Sequence, residues 1–230
     1  MLFVALGISA LACGGSDGPA APSDNASAPR QCRTYASAYA TTFTSQGIPD
    51  SSGTTACTFD APSLSLRCTQ TTQSPLGCSG TSTWTATYAS VLDFIEEGAA
   101  FGLTRALRIE RTTTSCLGVS TARHVNTYDT QKRQLRSETQ MDGRAFSTTA
   151  FTAWDARGRP TVSQGDGCSA SGTITYDEGA RTVMDVGCSG SSVRTTYDTN
   201  GNLLTLVFTN RGAVTYSETN SITATASACL

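Results

Sequence analysis

With 230 residues, sixteen basic side chains and eighteen acidic ones, the chain can bury its own core and is nearly neutral, so it has no basic footprint for a nucleic-acid partner. Thr and Ser make up more than a quarter of the residues, and Lys132 is the sole lysine. Nowhere do about eighteen consecutive apolar residues occur, which excludes a transmembrane helix.

The chain starts with an apolar run, Leu2 to Ala12, of signal-peptide length. Ala10-Leu11-Ala12 then leads into Cys13, and Gly14 follows. This arrangement resembles a bacterial lipoprotein signal, although Leu11 departs from the commonest pattern and no Lys or Arg precedes the cysteine. The resemblance implies cleavage after residue 12, acylation of Cys13 and anchoring in the cell envelope. The absence of Asp after the cysteine points to the outer membrane, or else to secretion. Residues 13–30 are Gly/Ser/Ala/Pro/Asp-rich and read as a flexible tether, because they lack apolar surface to offset ordering entropy. Residues 31–230 then form one domain.

Apart from Cys13 there are eight cysteines, an even number that in an exported chain argues for disulfides. A zinc site is disfavoured, since no Cys-x-x-Cys occurs and His124 is the single histidine. No cofactor or metal is expected. Hairpin symmetry suggests the pairings. Cys57 and Cys68 flank Asp60-Ala61-Pro62-Ser63, and Cys168 and Cys188 flank Asp177-Glu178-Gly179-Ala180. Opposed strand residues have Cα atoms within disulfide reach. Cys78 and Cys116 flank a larger hairpin, and Cys32 with Cys229 remain by elimination.

Short alternating runs between turn signals recur, such as Leu204-Thr205-Leu206-Val207-Phe208, and predict antiparallel strands. The Val91 to Leu103 segment is the exception and reads as a short helix or irregular excursion. Tyr35, Tyr39 and Phe43 recur every fourth residue, but the Thr and Ser between them favour a strand.

Tyr128-Asp129, Trp154-Asp155, Tyr176-Asp177 and Tyr197-Asp198 start 26, 22 and 21 residues apart, each followed by Arg or Asn and a strand. Phe59-Asp60 is a degenerate earlier copy. In each copy the Asp bonds backbone amides to start a turn, and Gly158 or Gly201 closes it with positive φ, a place taken by Lys132 and Ala180 in the other copies. This pattern, over about Arg123 to Phe208, resembles the tyrosine–aspartate (YD) repeat of Rhs-type toxins and teneurins. The resemblance implies successive hairpins; a handful of copies cannot enclose a cargo protein as the large family members do. The expected fold is all-β, an antiparallel meander forming a curved or twisted sheet, crosslinked by disulfides.

Catalytic signals are sparse. His124 reads as an exposed structural residue, and no Gly-x-Ser-x-Gly elbow accompanies it. Asp93, Glu96 and Glu97 cluster as a glycosidase pair would. Asp198, Asn200 and Asn202 alternate like calcium ligands, but the closing Glu is missing. Trp84, Tyr88, Tyr35, Tyr39 and Phe43 read as core, with a sugar platform as the alternative. The expectation is a noncatalytic envelope module, structural or binding a protein or glycan. The second reading is a small polysaccharide-active hydrolase using the carboxylates near Asp93–Glu97.

Overall fold

Alternation with period two builds nearly the whole body. The computed structural model describes residues 31–46, 48–75 and 77–230, without the side chains at 48 and 49. Cys13, the signal segment and the 13–30 tether lie outside the described residues. The strands are β1 (Cys32–Ser45), β2 (Ile48–Asp60), β3 (Ser65–Gln73), β4 (Ser79–Thr87), β5 (Arg108–Ser115), β6 (Gly118–Tyr128) and β7 (Gln134–Met141). They continue as β8 (Arg144–Trp154), β9 (Pro160–Gly165), β10 (Gly172–Asp177), β11 (Thr182–Val186), β12 (Ser191–Tyr197), β13 (Leu203–Asn210) and β14 (Ala213–Cys229). A single helix among the described residues, α1 (Val91–Ala99), falls between β4 and β5.

The fourteen strands run in sequence order around a closed barrel, and β1 and β14 pair to seal it. This corrects the expected open curved sheet. The two longest strands meet at the seam, from Cys32 opposite Cys229 to Ser45 opposite Tyr216. Closure removes the unpaired edges that an open sheet would present. Bulges on both seam strands between Ala36 and Tyr39 compensate one another, so the pairing regains its register from Tyr39 opposite Ile222 onward.

Parity separates wall from lumen. Thr55 and Cys57, Leu66, Cys68 and Gln70, and Ser82, Trp84 and Ala86 are buried on β2 to β4. The residues between them, such as Thr54, Ala56, Arg67, Thr69, Thr81 and Thr83, are exposed. The outer wall carries charge pairs, Arg108–Glu110–Arg123 and Arg136–Glu138, and hydroxyl pairs such as Thr54 with Thr71. A basic side chain on a lipid-facing strand would cost about 2–4 kcal/mol at mid-bilayer.

Each aromatic–Asp unit spans two strands, so all its corners fall at one end of the barrel, here called the base. Two corner types occur. At Asp129, Asp155 and Asp198 the loop has three residues and the strand bulges next to the aromatic. Lys132 (φ 60°), Gly158 (76°) and Gly201 (73°) take the left-handed position, as expected of this hairpin type. At Asp60 and Asp177 the loop has four residues and no bulge. There the left-handed residues are Leu64 and Arg181, so Ala180 does not take the place expected of it.

The base is closed from within by the 91–106 segment. Ser90 caps α1, its Oγ accepting from the Asp93 amide and donating to Asp93 Oδ2. Fully buried Phe94 stacks on Phe59 at 3.9 Å between centroids and meets Tyr35 and Tyr88 edge-on. Arg33, also fully buried, lies over the Phe94 ring and donates to the Phe94 carbonyl at 2.7 Å. On the far side Phe101 packs with Tyr176 and Tyr197 beneath Arg159 and Arg181. Gly102 is required there: φ is +76°, and an added Cβ would lie 2.7 Å from Val183 and 2.8 Å from Tyr176.

The disulfides are Cys32–Cys229, Cys57–Cys68, Cys78–Cys116 and Cys168–Cys188. The first two join directly opposed residues, and Cys32–Cys229 staples the seam. Cys168 and Cys188 are not opposed in the β10–β11 ladder, as hairpin symmetry had suggested. They link two loops at the other end, the rim, where the wall strands are shortest.

Candidate functional site: the lumen

Above the plug the barrel encloses two adjoining lobes of about 350 and 300 Å³, and Ile109 and His124 line both. The first reaches the rim, where Met141 and Phe146 line it and Phe146 is 68% exposed. Its wall carries Tyr39, Phe43, Trp84 and Tyr216 together with Gln70, Arg111, Glu218 and Asn220. The second is lined by Phe151, Tyr176, Tyr197, Ile174, Val183 and Val193, with Asp185 among them.

Polar groups of the first lobe are held in chains. Arg111 Nε donates to Ser82 Oγ at 2.6 Å, and Ser82 shares a hydrogen bond with Thr113. The guanidinium lies 5.7 Å from the Trp84 ring centroid. No hydrogen bond to its two Nη groups is seen among the described residues. Glu218 accepts from Tyr216 Oη at 3.2 Å and from Asn220 Nδ2 at 3.0 Å, and Asn220 Oδ1 accepts from Thr41 at 2.7 Å. Burial lowers the Arg111 pKa, partly offset by Glu218, and raises that of Tyr39 to about 12. His124 is half-buried in the lumen, not exposed, and its Nδ1 lies 2.9 Å from Thr139 Oγ1. Burial depresses its pKa, which keeps the ring neutral at pH 7.

The Asp93, Glu96 and Glu97 carboxylates line neither lobe; they fasten the plug. Asp93 pairs with Lys132 at 2.8 Å, and Glu96 with Lys132 and Arg105. Buried Glu97 accepts from Tyr88 Oη at 3.0 Å and from the amides of Arg105 and Ala106. Burial pushes the Glu97 pKa up, opposed by Arg33 and these donors. At Asp93 burial is outweighed by Lys132 and Ser90, and the pKa falls.

Of the aromatic residues read from sequence, the fold brings Tyr39, Phe43 and Trp84 into the lumen and sends Tyr35 and Tyr88 to the plug core. Asp198 and Asn202 bond one another, and Asn202 Oδ1 accepts from the Ala36 amide, so these residues brace a corner. Among the described residues no group of acidic, His or Cys side chains is arranged to hold a metal ion. Arg111, Asp185, Tyr216, Glu218 and Asn220 escaped sequence reading. Their signal is a polar residue at an inward-parity position, which shows only once the register is known.

No family model matches the chain, and no curated protein does. Among solved structures it is similar to a porin-like protein from Bacteroides uniformis, with TM-score 0.35 and 10% identity over 81% of this chain and 96% of that one. The fold and lumen define a closed, base-plugged antiparallel barrel with a charged outer wall and a cavity of small-molecule size.

Proposed function

We propose that this chain is a noncatalytic binding protein of the bacterial cell envelope, held to a membrane by lipid on Cys13 through the 13–30 tether. It takes a small ligand into its lumen. The observation that carries this reading is a plugged barrel whose inner wall, not its outer one, gathers aromatic rings and unspent polar groups. Pockets of about 300–1,000 Å³ with an apolar wall and few polar groups suit small ligands. A folded protein cannot enter; a molecule the size of one or two sugar rings can. The charged outer wall favours a barrel tethered to a membrane over one that spans it. Two or three acyl chains hold firmly where one binds only marginally.

The anchor is tested by mass spectrometry of the N-terminal peptide from bacterial membranes. The expected result is acylated Cys13, with Cys13→Ala released from the membrane fraction. Binding is tested by solvent extraction of the purified full chain and mass spectrometry of what is released. A reproducible small molecule supports the reading, and hydrolysis of a polymer by the purified protein overturns it.

A further inference from the structure

The free donors of Arg111 define which end of a ligand binds where. A guanidinium has five N–H groups in a planar fork suited to a carboxylate. Here Nε is spent on Ser82, which fixes the plane, and the Nη edge has no hydrogen-bond acceptor among the described residues. Glu218 does not supply one: no salt bridge joins the two, and its oxygens accept from Tyr216 and Asn220. The same lobe is lined by Trp84, whose ring lies 5.7 Å from the guanidinium, and by Tyr39, Tyr216, Phe43 and Ile109. A sugar presents hydroxyls around its whole edge, whereas the rings of Trp84, Tyr39, Phe43 and Tyr216 offer this lobe's ligand flat apolar faces.

From this geometry we propose that the upper lobe binds a small aromatic or fused-ring monocarboxylate, its carboxylate on the Nη edge of Arg111 and its ring against Trp84 and Tyr39. The assignment rests on the lumenal binding reading and narrows it to a ligand class. Glu218 lines the same lobe, so a second negative charge on the ligand would be opposed there, which limits the ligand to one anionic group. Phe146 and Met141 at the rim lie on its entry path.

Calorimetric titration of the full chain with 2-naphthoate, neutral 2-naphthamide and cationic 2-(aminomethyl)naphthalene tests this. Naphthoate is expected to bind at least tenfold tighter than either analogue. Arg111→Gln is expected to weaken naphthoate at least tenfold and to abolish its preference over naphthamide, with circular dichroism showing the barrel still folded. Glu218→Gln, which leaves Arg111 in place, is expected to tighten naphthoate severalfold. Equal binding of all three probes, tightest binding of the amine, or naphthoate affinity indifferent to both substitutions overturns the proposal while leaving a binding lumen. Absence of binding by all three, with circular dichroism showing a folded barrel, overturns the proposal and counts against the lumenal reading as well.

Discussion

Asp185 is the residue most at odds with its surroundings. Its side chain lines the second lobe, and no salt bridge or hydrogen bond to it is seen among the described residues. Burial alone raises its pKa above the ordinary carboxylate range. The native state therefore binds its proton more tightly than the unfolded chain. That contribution is complete below the unfolded pKa and is lost as pH rises through the folded one. Asp185→Asn is expected to unfold at higher temperature than wild type at about pH 8, with the difference vanishing below about pH 4. Arg159 is the opposite case, fully engaged. It is 4% exposed, bonds Asp155 at 2.7 Å and Glu178 at 2.6 Å, and lies 4.0 Å over Tyr176. Arg159→Ala is expected to lower stability in urea unfolding by about 2–4 kcal/mol, and Lys to rescue little because it lacks the fork. Arg157 pairs with the same Glu178 at the surface, so Arg157→Ala is expected to change stability by under about 1 kcal/mol.

At the scale of elements, the aromatic–Asp corners and the plug act as one device. Each corner passes a contact to its neighbour. Arg133 stacks over Trp154, whose Nε1 donates to the carbonyl of Gln134. Arg159 stacks over Tyr176, whose Oη donates to the carbonyl of Pro160. Tyr128 donates in the same way to Ala106, after Arg105, so the plug segment enters the series. The Asp-initiated turns were legible because Asp reaches amides two to four residues ahead. The handover between corners was not, because it joins strands one hairpin apart. Nor did the carboxylates of α1 reveal their task, since Lys132, Arg105 and Tyr88 reach them only after the segment crosses the base. Phe94→Ala is expected to lose about 3–5 kcal/mol in urea unfolding, the range for emptying a closed core site of its ring.

At the scale of the molecule, the seam governs stability. Cys32–Cys229 closes a loop 197 residues long, and Cys57–Cys68 one of 11. In the chain-entropy account these contribute about 5 and about 3 kcal/mol. Paired Cys→Ser replacement at the seam is accordingly expected to lower the unfolding midpoint further than the same change at Cys57 and Cys68. Alone, the amino-acid order determined the strands, the corners and the directly opposed Cys57–Cys68 pair, because each follows from period-two alternation or from bonds within one hairpin. The tertiary structure alone decided that the meander closes, that the 91–106 segment plugs it, and that Arg111 and Glu218 share a lumen. Parity tells which face a side chain takes; what that face looks at depends on strands distant in the chain.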